Sequence, residues 1–99
     1  MKKLSPGQVA SHLKSVPDWS LRGKTIRRQF EFAGFMPAVD FVNRVARRAE
    51  RNDHHPDINI RWNKVTLAFS THSKGGLTEL DFESARQVGA IFARHFGKT

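Results

Sequence analysis

From Phe35 to Asn52 the apolar residues Met36, Val39, Val42, Val45, Ala46 and Ala49 recur at steps of three and four. On either side of this segment apolar residues alternate instead. The first period is that of an amphipathic helix, the second that of a strand with one covered face. This double change of period constrains the fold more than any other feature. The helix is opened by Gly34 and Pro37 and is expected to end near Asn52. Before it, Trp19-Ser20-Leu21 reads as a strand, Arg22-Gly23 as a turn, and Thr25 to Phe32 as a second strand. Ile26, Phe30 and Phe32 share one face of that strand, which Arg28 interrupts; Thr25, Arg27, Gln29 and Glu31 share the other. After the helix, Ile58, Ile60 and Trp62 alternate, then Val65, Leu67 and Phe69, with Trp62-Asn63-Lys64 placed for a tight hairpin turn.

The two ends complete the pattern. Ser5-Pro6 reads as an N-cap with proline at the first helical position, opening a short helix to about Leu13-Lys14 with Val9 and Leu13 inward. Val16-Pro17-Asp18 breaks it. Lys74-Gly75-Gly76 reads as a loop, and Thr78-Glu79-Leu80-Asp81 has capping-box spacing with Asp at the fourth place. A last helix follows through Leu80, Ala85, Val88, Phe92 and Phe96. The order is α-β-β-α-β-β-α. Short turns make paired strands antiparallel, so the expected fold is α+β, a four-stranded antiparallel sheet with helices packed on one face, as a single domain over residues 1–99.

Composition narrows the chemistry. The chain contains no cysteine, which excludes disulfides, zinc-thiolate sites and thiol nucleophiles. A chain of 99 residues buries only about 60–65% of its unfolded surface. A homo-oligomer, dimer or tetramer, is therefore expected, built partly through Val88, Ile91, Phe92 and Phe96 of the last helix. Met-Lys-Lys-Leu resembles the basic end of a signal peptide, but Ser5-Pro6-Gly7-Gln8 follows it instead of an apolar run. A cytoplasmic protein that spans no membrane is the expectation. The formal net charge is +8, and Arg44, Arg47, Arg48 and Arg51 line the outer face of the middle helix with Asp40. That face reads either as a solvated surface or as a docking site for an acidic partner. Nucleic-acid binding is expected to be weak and sequence-blind.

Asn52-Asp53-His54-His55-Pro56-Asp57 places two imidazoles side by side, between the middle helix and the third strand. His72 follows the fourth strand. If the third and fourth strands form a hairpin, its open end brings His72 to His54 and His55. Histidine gives and takes protons near neutral pH, and adjacent imidazoles oppose each other's protonation. Such a set can supply an acid and a base together. Glu50 or Asp53 could orient a ring. The competing readings are helix-end and strand-end surface histidines, or a zinc site of three histidines and a carboxylate. The latter is disfavoured because neither HxH nor HExxH spacing is present. His12 and His95 read as structural or surface residues. Ser70 and Ser73 flank His72 without a nucleophile-elbow sequence.

Glu50, three residues, His54-His55-Pro56, five residues, Trp62, nine residues, His72, eight residues and Asp81 together resemble the signature of the pterin-4a-carbinolamine dehydratases. Leu4-Ser5, Trp19, the Phe30–Phe32 strand, Phe41 to Glu50, Asn63-Lys64-Val65, Ser70-Thr71-His72 and Gly76-Leu77-Thr78 extend the resemblance over most of the chain. The family often has Tyr where Trp62 stands, and the basic helix face is not one of its hallmarks. The resemblance implies dehydration of 4a-hydroxytetrahydrobiopterin to quinonoid dihydrobiopterin, by histidine acid–base catalysis and without metal or other cofactor. This would recycle the pterin of an aromatic amino-acid hydroxylase and support tetrahydrobiopterin biosynthesis. It implies His54 and His72 as the acid/base pair and His55 chiefly as a pterin ligand. Asp53, Ser70, Thr71 and Ser73 would line the pocket, with Glu50, Asp81, Trp19 and Pro56 in support. The three rings are expected at a sheet edge and not in the core. Some members of the family also act as dimerisation cofactors of a homeodomain transcription factor, which keeps a non-catalytic binding role as the alternative.

Overall fold

The computed structural model describes residues 1–97, so the expected domain extends two positions beyond them. Helix α1 spans Pro6–Leu13, β1 Ser20–Arg22, β2 Thr25–Glu31, α2 Phe35–Asn52, β3 Asp57–Arg61, β4 Lys64–Phe69 and α3 Glu79–Phe96, with a 3₁₀ turn at His72–Lys74 before α3. The strands form one antiparallel sheet in the order β1-β2-β4-β3. Ser5 closes a capping box with Gln8 at the start of α1, and Thr78 does so with Asp81 at the start of α3. The expected element order and architecture are those observed.

Register defines the covered face. Ile26 pairs with Phe69 and Phe30 with Val65, and all four are buried with Leu67. Arg27, Gln29 and Glu31 lie on the opposite, exposed side of β2. The first hairpin is shifted by one residue from the sequence reading. Trp19 leaves the ladder to pack against Phe30 and Phe69, and Gly23-Lys24 forms the turn with positive φ at Gly23.

Helix α2 is rotated relative to its expected face. Ala38, Phe41, Val45 and Ala49 form the buried stripe, whereas Met36 and Ala46 are exposed. Phe41 sets the rotation: its ring meets Phe30, Phe32, Phe92 and Phe96 with centroids 4.8–5.9 Å away. Such offset and edge-on aromatic pairs contribute beyond their buried area. Phe92 and Phe96 thus pack in the chain's own core, as does the buried Val88. The large apolar side chains left exposed include Ile58, Ile60 and Trp62 of the β3 hairpin, together with Phe35 and Met36 at the start of α2. The apolar surface expected on α3 for assembly is therefore mostly enclosed within the chain.

Arg28 stands on the core face because it pairs with Leu67. Its guanidinium lies 4.2 Å from the Phe30 ring centroid and 5.4 Å from that of Phe92, and reaches Asp18 at 3.8 Å. A cation over aromatic faces, on an apolar stem, is how a charge is accommodated here. Burial lowers the Arg28 pKa from its ordinary value and Asp18 opposes the shift. We predict that Arg28→Met is neutral or stabilising in urea unfolding, because an apolar chain of similar length replaces a partly desolvated ion. Arg28→Ala should lose about 1–2 kcal/mol through lost stem packing. A destabilisation by Met as large as that by Ala would show that the charge itself holds the core.

A candidate active site at the open end of the β3–β4 hairpin

The end of α2 decides where the two adjacent histidines point. Asp53 adopts the left-handed conformation with φ 51°. Its N–H donates to the Glu50 carbonyl at 3.3 Å, and the His54 N–H donates to the Ala49 carbonyl at 3.1 Å. These are the two bonds of a Schellman cap, with Asp in the place glycine usually fills. The chain reverses and runs out extended, so successive side chains diverge. His54 turns inward and His55 outward.

The His54 ring lies nearly parallel to Phe69, 5.8 Å away and tilted by 15°. Its side chain is only 10% exposed. Nε2–H donates to Asp81 Oδ1 at 2.6 Å, which leaves Nδ1 as the free ring nitrogen. Asp81 is fully buried, and its other oxygen accepts from the Thr71 hydroxyl at 2.7 Å and the Thr78 N–H at 2.9 Å. With Thr71 donating to Asp81, Thr78 donates to Thr71 Oγ1 across 2.9 Å and accepts the Leu80 N–H. The helix cap, the strand end and a histidine thus share one carboxylate.

His55 is 54% exposed and its Nε2–H donates to Glu50 at 2.6 Å. It is Glu50, and not Asp53, that reaches a ring. His72 is exposed at the first position of the 3₁₀ turn. The pairing of Asp57 with Ala68 sets the start of β3 beside the end of β4, and so brings the segments bearing His54, His55 and His72 to the same end of the sheet. The rings are not equivalent: His54 is packed inside, contrary to the expectation of three rings at an open edge. Asp53 and Ser73 are exposed, Pro56 and Ser70 half-buried. Thr71 is buried, with its hydroxyl engaged by Asp81 and Thr78, so it shapes the His72 turn from beneath. Trp19 is a core residue that touches the site through Phe69. Among the described residues no three His, Asp or Glu side chains are grouped as metal ligands would be.

Asp81 stands out in the sequence by its cap spacing and its place in the family signature, but its bond to His54, 27 positions earlier in the chain, is a tertiary contact that neither shows. Ser84 was missed altogether. Its hydroxyl is buried and has no hydrogen-bond partner among the described residues, beside a narrow void lined by His54, Phe69, Asn52 and Arg48. We predict that Ser84→Ala raises stability by about 1 kcal/mol, by removing an unsatisfied hydroxyl and improving helix propensity. His54→Ala should cost about 2–4 kcal/mol, because it opens a cavity on Phe69 and leaves a buried carboxylate oxygen unpaired. His55→Ala and His72→Ala, at exposed positions, should stay within about 0.5 kcal/mol of wild type. Urea titrations of the four variants test this ranking, which equal losses at the three histidines would refute.

The family model described as pterin 4 alpha carbinolamine dehydratase matches residues 2–91. A protein of Acidobacterium capsulatum is 47% identical over 92% of this chain and 99% of its own length. One of Nocardia farcinica is 49% identical over 89% of this chain and 93% of its own. Both are named, provisionally, as pterin-4-alpha-carbinolamine dehydratases. Among solved structures, a transcriptional coactivator/pterin dehydratase from Brucella melitensis superposes with a TM-score of 0.86 at 35% identity, over 91% of this chain and 98% of that one. A pterin dehydratase-like protein described as a RuBisCO assembly factor of the alpha-carboxysome shares the fold, with a TM-score of 0.66 at 23% identity over 75% of this chain and 88% of that one. By the near-complete family match and by these relatives, this chain belongs to the pterin-4-alpha-carbinolamine dehydratase family.

Proposed function

We propose that the chain is a hydro-lyase that dehydrates a 4a-hydroxytetrahydropterin, with 4a-hydroxytetrahydrobiopterin as substrate and quinonoid dihydrobiopterin as product. The observation that carries the reading is the pair of imidazole–carboxylate contacts, His54–Asp81 and His55–Glu50, each 2.6 Å, at the end of the sheet where the His72 turn also lies, in a chain of this family. The reaction needs one acid and one base. Hydroxide leaves C4a poorly, so the acid protonates it and it departs as water. A base takes a ring N–H proton, and that electron pair completes the C=N bond. No oxidation state changes, and side chains that exchange protons suffice.

The exposures of the rings support a division of labour that differs from the one expected from the sequence. His55 and His72 are open to solvent and to substrate, so we assign them the two proton transfers. His54, with Nε2 held by Asp81, presents only Nδ1 and is assigned to hold the pterin and shape the wall. Glu50 acts through His55 as a positioning residue. A homo-oligomer belongs to the same proposal, with the exposed Ile58, Ile60 and Trp62 as the apolar surface it would cover.

A stopped-flow record of carbinolamine decay, with and without the protein, tests the activity itself. No acceleration, with the chain folded, would end the enzymatic reading. The name coactivator carried by the Brucella structure favours a binding role as the second reading, which such a result would promote. If the activity is present, His55→Ala and His72→Ala should each lose about 10²-fold of the catalysed rate, a usual size for one proton-transfer group. The double variant should be scarcely worse, because groups acting in one elimination are not additive. Near-wild-type turnover in both single variants would sink the assignment. Glu50→Gln should lower kcat several-fold and displace the pH–rate profile while leaving KM near wild type, the mark of a residue acting through His55.

A further inference from the structure

The dehydration chemistry makes no use of the arginine face of α2. Arg44, Arg47, Arg48 and Arg51 stand at i, i+3, i+4 and i+7, on one side of the helix over about 10 Å of its length. With His95 and Ile91 of α3 they line a cleft of about 170 Å³ between the two helices. Among the described residues no carboxylate lines it. Among the described residues, Asp40 is the one carboxylate within ion-pair distance of any of the four, 3.5 Å from Arg44. The Arg44 guanidinium also donates to His95 Nε2 at 3.3 Å, which fixes it over the cleft.

Like charges at these spacings oppose helix formation. Here their repulsion is concentrated on one wall of a concave space. An anion seated there would relieve it. We infer that this cleft is a binding site for an oligophosphate, a chain of two or three linked phosphates recognised through the phosphates themselves. Guanidinium forks match phosphate oxygens two at a time, and a compact oligophosphate brings several charges into a small volume. The short reach of the patch argues against an extended duplex: the four arginines span about 10 Å of one helix, and a duplex backbone needs a broader basic surface. Ile91, half-buried at the cleft, gives a nucleoside no partner for hydrogen bonding. The inference rests on charge and shape alone and stands whether or not the chain dehydrates a pterin.

The test is calorimetric titration of the full chain with inorganic triphosphate at low salt without divalent cation, beside a nucleoside triphosphate, the bare nucleoside and a short DNA duplex. One triphosphate per chain should bind, and the nucleoside triphosphate should agree within about threefold, because the phosphates carry the contact. The bare nucleoside should give no heat. Arg47→Ala/Arg51→Ala, at exposed positions, should weaken triphosphate at least about tenfold as two charge-assisted contacts are lost. Arg22→Ala/Arg27→Ala removes the same charge from an exposed surface of β1 and β2 and should change it by less than about threefold. Several weak triphosphates per chain, or equal losses in the two double variants, would reduce the effect to net charge and overturn the site. Tight duplex binding without saturable triphosphate binding would replace it with a nucleic-acid surface. Thermal melts of both variants, expected at or above wild type, show that any loss is not unfolding.

Discussion

The buried Asp81 carboxylate is the contact on which the functional end of this molecule depends. It accepts from the Thr78 N–H at the start of α3, from the Thr71 hydroxyl after β4, and from His54 after α2. A carboxylate removed from water is tolerated only when its oxygens are satisfied, and here both are. The ring stacked on Phe69 and the turn that carries His72 are fixed by the same group. The placement of His54 and the capping of α3 are thereby one arrangement, joined through a single carboxylate.

Beneath it lies a core dominated by phenylalanine. Phe30, Phe32, Phe41, Phe92 and Phe96 meet one another at 4.8–5.9 Å, and Trp19 extends the set to Phe69. Rings enclose much area with few rotatable bonds, which suits a chain with little interior to fill. Asn52 and Gln87 join α2 to α3 at 2.6 Å beside the site. β4 ends at Phe69. Beyond it, His55 and His72 stand in solvent on a loop and a short turn, where side chains can meet a ligand.

The two helices that cover the sheet serve a second surface as well. The inner stripe of α2 holds Phe41, and its outer stripe holds the four arginines. Arg48 reaches both the basic cleft and the void beside His54. No helix among the described residues is long and apolar enough to cross a membrane.

Local rules were enough for much of this. Ser5-Pro6 and Thr78 to Asp81 announce helix starts because capping is a contact over three residues. The alternation from Ile58 to Phe69 announces a hairpin, and the hairpin alone brings His72 toward His54 and His55. The spacing from Glu50 to Asp81 was sufficient to indicate the family. Other features were decided only by packing. The rotation of α2 followed from where the Phe41 ring could fit, so Met36 and Ala46 face outward although their spacing is helical. Trp19 left the strand for the core. Arg28, which interrupts the apolar pattern, was accommodated by two aromatic faces contributed by different elements. The adjacent histidines were split by the left-handed Asp53, one toward Asp81 and one toward Glu50. Sequence supplied the chemical groups and the elements that carry them. Tertiary structure chose which groups are buried and paired, because that choice depends on partners far away in the chain.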